Sequence, residues 1–333
     1  MRLKVGIPRG MFYFDYYFLW KKFFNNLDVD VVVSPKTNKA ILNKGTELCV
    51  DEACLPIKIY HGHVDYLKDK VGYIFIPKMT SIYKKEYCCP KHLGLPDMIK
   101  HSLKDLPPII DTQVNLRKSD ANLKKFAMDV GKHFGISSRK AVKAFNEAYK
   151  EYEAYIEMLT SKVIPIDVNK RYNDMAFITN IKKERYGRKI LVLGHSYNVY
   201  DHYINMDLIK KLNNRGYDVI TAELIDENRA REYASKLPKR MFWTHGQRIV
   251  GGAYYLIEEK IISGIMYISA FGCGLDSVLM DLVERKAKEN NIPYTLLTID
   301  EQTGEAGINT RIEAFIDMLE WRNRDEADIS THG

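Results

Sequence analysis

Apolar residues recur along this chain in two alternating rhythms. LKVGIP (3–8), VDVVVSP (29–35) and GYIFIPK (72–78) are short, nearly unbroken apolar runs, the pattern of strands buried on both faces. Between them, FDYYFLWKKFFNNL (14–27), NKAILNKGTEL (38–48) and LPIKIYHGHVDYLKD (55–69) space their apolar residues as amphipathic helices do, and Pro56 opens the last. Strands alternating with helices predict a parallel sheet covered on both faces.

From about 114 the rhythm becomes purely helical. NLRKSDANLKKFAMDVGKHFG and SSRKAVKAFNEAYKEYEAYIEMLTSKV are long and charged, with Ser137 as a cap for the second. Phe145, Tyr149, Tyr152 and Tyr155 fall at helical spacing and read as a packing stripe. The strand–helix alternation returns in RKILVLGHSYN, MDLIKKLNNRGYDVITAEL, IISGIMYISAFGCG and SVLMDLVERKAKENNIPYTLLTIDE, and TRIEAFIDMLEWRNRD closes the fold. The predicted organisation is α/β: two doubly wound, Rossmann-like parallel-sheet domains with a helical segment between them. Residues 1–113 form the first domain, 114–183 the helical segment, 184–325 the second domain and 326–333 a loose tail. Ligands of such sheets bind beyond the carboxyl ends of the strands.

The 333 residues are 46% hydrophobic and 28% charged, an ordinary globular composition. The net charge of +7 is spread along the chain, and no nucleic-acid-binding pattern accompanies it, so no nucleic-acid partner is expected. No apolar run is long enough to span a membrane and the N-terminus lacks a signal-peptide core, which predicts a cytoplasmic protein. Disulfides are then not expected, and the five cysteines divide into packing residues and ligands. Cys54 precedes a helix start; Cys89 follows the third strand-like run and is itself followed by Pro90; Cys273 follows another strand between Gly272 and Gly274. Three thiolates from distant loops, meeting across the cleft, suit an iron–sulfur cluster, with zinc as the competing metal. Gly272 and Gly274 leave room for a cluster against the backbone. Cys49 reads as a small buried hydrophobe, and Cys88 equally as packing, spare thiol or fourth ligand.

Other loops carry candidate site groups, each with a plain structural alternative. His195 and its neighbours in GHSYNVYDHY can dock an anion on their amides or merely form a capped turn. Glu301, Thr303 and Glu305 in DEQTGEAGINTR can bind substrate, with Arg311 as partner, or Asp300 and Thr303 can cap while Arg311 forms a salt bridge. His245 can donate a proton, and Arg9 can meet an anion. His61 and His63 have poor metal-binding spacing on a helix and read as supporting or surface groups. The candidates for direct chemistry are Glu305, His195 and Cys88. No G-x-x-x-x-G-K-[ST] loop is present, so ATP-driven chemistry would need a second protein.

GIPRG, VVVSPKTNKAIL, DEACLPIKIYHGHV, YCCPKHLGLPDMI, GHSYNVYDHYINMDL, FGCGLDS and DEQTGEAGINTRIEAFIDML together resemble the activase-related proteins of anaerobes, which belong with the 2-hydroxyacyl-CoA dehydratases and their ATP-driven activases. The resemblance spans about residues 3–320. It implies a dehydratase-subunit-like fold holding a 4Fe–4S cluster on Cys54, Cys89 and Cys273, with Cys49 and Cys88 outside the ligand pattern. It further implies low-potential electron transfer or reductive chemistry on a small substrate, an acyl-CoA among the possibilities, at an open iron site. An ATP-dependent activase would be the electron donor, and a homodimer is possible. The alternatives are a non-catalytic cluster carrier or scaffold for a partner enzyme, or a CoA-thioester dehydratase subunit.

Overall fold

The computed structural model describes residues 3–119, 121–160 and 187–331, with side chains described to 322. In the first lobe, β1 (Lys4–Ile7), α1 (Tyr13–Asn26), β2 (Asp30–Val33), α2 (Lys39–Leu48) and α3 (Leu55–Lys68) are followed by β3 (Tyr73–Phe75). The run 72–78 does not continue as one strand: Pro77 interrupts it, and β4 (Lys78–Ser81) leaves for a separate small sheet. After α4 (Pro90–Ser102), the two-residue β5 (Ile109–Ile110) completes the main sheet and β6 (Gln113–Asn115) pairs with β4. The main sheet has the order β2-β1-β3-β5 with every pairing parallel.

The helices α5 (Ala121–Lys132) and α6 (Ser138–Thr160) pack on α1 and share the first lobe's core. Phe23 meets Phe145 edge-on at 5.2 Å between ring centroids, and Trp20 meets Phe126 at 5.6 Å. The helical segment between the two sheets in the chain is therefore built onto the first lobe as an extra layer.

The second lobe repeats the first lobe's topology. It comprises β7 (Lys189–Leu193), the short α7 (Ser196–Val199), α8 (Leu208–Asn214) and β8 (Asp218–Thr221), then a 3₁₀ turn at Ala222–Leu224 and α9 (Glu227–Ala234). There follow α10 (Thr244–Glu258), β9 (Gly264–Ala270), α11 (Asp276–Glu289), β10 (Tyr294–Ile299) and α12 (Glu305–Thr331). The order β10-β9-β7-β8, all parallel, is the first lobe's 2-1-3-4 winding read from the other edge. The last helix runs to Thr331, into the stretch expected as a loose tail; no proline or glycine interrupts it there. In each sheet the winding reverses between the first and third strands, so each lobe has a switch point where a ligand crevice is expected. No helix among the described residues is long and apolar enough to cross a membrane.

Two glycines fix the position of α3. A Cβ at Gly45 would lie 1.9 Å from the Lys58 carbonyl oxygen, and one at Gly62 would lie 2.0 Å from that of Ile41. Only glycine lets α2 and α3 approach this closely, and the loop they enclose delivers Cys54.

Candidate metal centre

Two of the three cysteines singled out from the sequence stand at helix N-caps. Cys54 caps α3 and Cys89 caps α4, each with proline in the following first turn, where its missing N–H costs nothing. Cys273 lies just ahead of α11, and its carbonyl accepts from the Ser277 amide at 3.1 Å. Topologically, Cys89 and Cys273 are counterparts: each lies in the connection after the third strand of its lobe's main sheet, Cys89 beyond the intervening β4.

These thiols sense one another's charge. Burial raises the Cys54 pKa, opposed by the nearby Lys91, and the Cys89 thiolate raises it further. Burial also pushes the Cys273 thiol up, with Asp276 next and Cys54 among the remaining causes. Tyr197 is buried beside all three: burial raises its hydroxyl most, followed by Cys273 and Cys54, with Cys89 also contributing. A nucleophilic thiol is normally activated by a lowered pKa. Here Cys54 and Cys273 are shifted the opposite way, by burial and by mutual repulsion. A bound cation would favour the ionised forms of both thiols.

Hydrogen-bond donors and open space adjoin the thiols. The Asp276 amide lies 3.5 Å from the Cys273 sulfur. Gly272 adopts a left-handed backbone (φ 74°), and a Cβ placed there or at Gly274 would meet nothing within 4 Å. His195, Cys273 and Asp276 also form a tighter group, with one ligand atom from each lying within 4.8 Å of the others. His195 Nε2 is 3.5 Å from Asp276 Oδ1, which also accepts from the Tyr267 hydroxyl at 2.8 Å, while the buried Asp276 Oδ2 has no hydrogen-bond partner. His195 projects from the turn after β7, where Gly194 is required because a Cβ would sit 2.4 Å from the Ile268 carbonyl oxygen.

A wall of imidazoles backs this group. His92 and His195 lie 5.9 and 5.7 Å from His245 between ring centroids, and Tyr197 stacks on His195 at 5.0 Å. Burial, then the neighbouring imidazole of His195, lowers the His92 pKa to about 3. His92 Nδ1, His245 Nε2 and both polar atoms of the Asn198 side chain are buried without hydrogen-bond partners. His92 and Asp276 escaped the sequence reading: one sits in an ordinary helical segment, and the other resembles a residue chosen for a helix start.

The remaining candidates fall elsewhere. Cys88 is buried, and burial first, then Asp15 and Cys89, push its pKa up to about 12; it is hydrogen-bonded by the backbone of Ile82. Cys49 ends α2 buried in the first lobe's core, as expected of a small hydrophobe, and lies within electrostatic reach of Cys54. Glu305 is an exposed residue paired with Lys211 at 2.7 Å. Asp300 and Thr303 cap each other, with Thr303 Oγ1 donating to Asp300 Oδ1 at 2.7 Å, and Arg311 donates to the Leu296 carbonyl oxygen rather than to a carboxylate. Arg9 donates to the Ser34 carbonyl oxygen at 3.1 Å. His63 is fully buried and joined to Thr37 at 3.0 Å, not a surface group.

Two parallel α/β lobes of one topology, with thiols at or just ahead of the starts of three helices, define a bilobal α/β protein class. Residues 4–225 match the family described as CoA enzyme activase uncharacterised domain, and the chain belongs to that family. Residues 203–319 are similar to the 2-hydroxyglutaryl-CoA dehydratase D-component. The first match covers the first lobe, α5–α6 and His195; the second covers Cys273 and Asp276. No curated protein matches the chain.

Proposed function

We propose that Cys54, Cys89 and Cys273 hold a 4Fe–4S cluster at the junction of the lobes, and that the protein is a redox partner or reductase working with an ATP-dependent activase. What supports this reading is the placement of three thiols from three separate loops: Cys54 lies within electrostatic reach of both Cys89 and Cys273, and all three act on the buried Tyr197. The donor set fits: soft sulfur ligands, a backbone amide near one sulfur, and free space at Gly272 and Gly274. Such a cluster, when bound, supplies low-potential one-electron chemistry. The chain's own residues exclude water with the wall of Tyr197, His92 and His245, and His195 and Asp276 orient polar groups toward Cys273. In keeping with the family, the substrate would be a small acyl thioester or a related acceptor, processed inside the cell.

Protein purified without oxygen should be brown and contain about four irons per chain. Replacing Cys54, Cys89 or Cys273 individually by Ser should remove most of that iron, whereas Cys88→Ser should retain it. Colourless protein with one zinc per chain would sink the proposal.

The group His195, Cys273 and Asp276 favours one further reading, a mononuclear site, because nitrogen, sulfur and oxygen ligands at this separation suit zinc. The readings differ over Cys54 and Cys89, which only the cluster needs.

A further inference from the structure

One cavity has no cysteine in its lining. It occupies about 430 Å³ between α1, α6 and the edge of the second lobe formed by the 3₁₀ turn, α9 and α10. Its walls are aromatic: Tyr16, Trp20, Tyr149, Tyr152, Tyr155 and Tyr200 all contribute. The tyrosines of α6 thus line a cavity together with Phe145, whose ring also packs edge-on against Phe23 in the core.

The cavity's charge opposes that of the chain. In a protein of net charge +7, Asp15, Glu153, Glu157, Glu223, Asp226 and Glu227 line it, and Arg248 is the one basic side chain among the described lining residues. The existing contacts do not neutralise this excess. Asp226 caps α9 by accepting from the Arg229 amide, and Glu227 is paired with Arg231 at 2.5 Å. Asp15 lies 3.7 Å from Arg248 and accepts from Ser196 at 2.7 Å. Glu223 accepts from the Tyr200 hydroxyl at 3.1 Å, and Glu153 and Glu157 are exposed at the rim. Independently of these acids, Thr244 lines the cavity with only 4% of its surface exposed, and its Oγ1 has no hydrogen-bond partner.

We infer that this cavity binds an organic cation: an apolar or aromatic body with an amine or quaternary ammonium group. The aromatic faces accept the body and the cation. The surplus carboxylates supply the counter-charge, and Thr244 offers a hydroxyl to a polar substituent. Burial raises the pKa of both Asp15 and Glu223, so a bound cation would favour their ionised forms. The same lining disfavours the phosphates of a coenzyme A thioester, which separates this cavity from any acyl-CoA site.

Benzyltrimethylammonium, phenylacetate and coenzyme A, titrated into the full-length protein by calorimetry, test the inference. The cation should bind at least tenfold more tightly than phenylacetate, with coenzyme A not competing. Glu223→Gln and Tyr152→Leu should each weaken cation binding at least fivefold. Because a buried change can disturb folding, the exposed Glu153→Lys/Glu157→Lys variant provides a second test and should weaken binding at least threefold at low salt. Tighter binding of phenylacetate, or cation affinity unchanged in all three variants, overturns the inference. Iron measured on the same samples should not change, so failure of this site and failure of the thiol site are separately visible.

Discussion

Lys58 and Glu301 meet across the cleft. The Lys58 ammonium, on α3 of the first lobe, lies 2.5 Å from Glu301 Oε1 in the loop after β10, and the lysine side chain is only 3% exposed. Glu301 remains 30% exposed, so water moderates its share of the pair. The two ends should therefore respond differently to mutation. Glu301→Gln strands a buried ammonium and is expected to cost about 2 kcal/mol, below the roughly 3–5 kcal/mol of a fully buried broken pair. Lys58→Met removes the charge and keeps much of the volume, so its cost should be smaller. Chemical denaturation of the two variants checks the order; equal costs would show that the bridge contributes little.

The backbone of the same lysine receives the closest glycine contact. A Cβ at Gly45 would drive into the Lys58 carbonyl oxygen, one turn after Cys54. Gly45→Ala is expected to cost about 3 kcal/mol, the upper end for overpacking, because backbone rather than a flexible side chain blocks the methyl. The resulting shift of α3 should also displace Cys54, so thermal stability and iron content should fall together. Glu47→Ala, on the exposed side of α2, should change neither. Loss of stability with full iron loading would uncouple the helix pair from the metal centre.

Much of this was legible in the sequence, for identifiable reasons. Pro56 marks a helix start, and the thiol before it was placed correctly there, whereas Cys89 read as a loop residue although Pro90 opens α4 in the same way. Gly272 and Gly274 marked the loop beside Cys273. The alternation of strand and helix conveyed the parallel sheets, but their equal winding was hidden, because strand order is set by long-range pairing that no local pattern encodes. Tyr149, Tyr152 and Tyr155 read as packing because helical periodicity identifies the covered face without saying whether protein or a cavity covers it. Asp276 and His92 were missed because each meets His195, a long-range contact that no local pattern encodes. The depth of His63 was missed because its HGH segment lies on a helix buried on nearly every side.

His63 gives the stability of this protein a defined pH dependence. Its Nε2 is paired with Thr37 Oγ1, and Thr37 in turn donates to Asp201 of the second lobe. The hydroxyl has one hydrogen, so with that hydrogen on Asp201 the neutral imidazole must donate to Thr37. Burial first, and the positive charge of Arg9 second, lower the His63 pKa to about 3. In the unfolded chain the imidazole takes up a proton near pH 6.5, whereas the folded form resists until about pH 3. The unfolded state thus binds more protons in this window. Stability is fully present above pH 6.5 and falls as the pH drops toward 3, by up to about 1.4 kcal/mol per pH unit from this residue. Urea unfolding between pH 7 and 4 should show a shallower slope for His63→Gln than for the unaltered protein. Parallel slopes would mean that His63 becomes protonated without opening the fold.

The group around Cys273 provides the sharpest test of which metal the cleft selects. Cys273 is common to the thiol set and to the group with His195 and Asp276, so its removal cannot separate the two. The other members can. If the three cysteines bind a cluster, Cys54→Ser and Cys89→Ser should each lower iron about fourfold or more, while Asp276→Asn keeps the iron. That variant retains the backbone amide 3.5 Å from the Cys273 sulfur and changes only the carboxylate. Its effect should appear as a shifted EPR signal, since a negative charge beside the cluster is removed. If the site is mononuclear, Asp276→Asn and His195→Gln should abolish metal binding, while Cys54→Ser leaves it intact. Iron and zinc analysis of these four variants, prepared side by side without oxygen, assigns the metal to one set of ligands or the other.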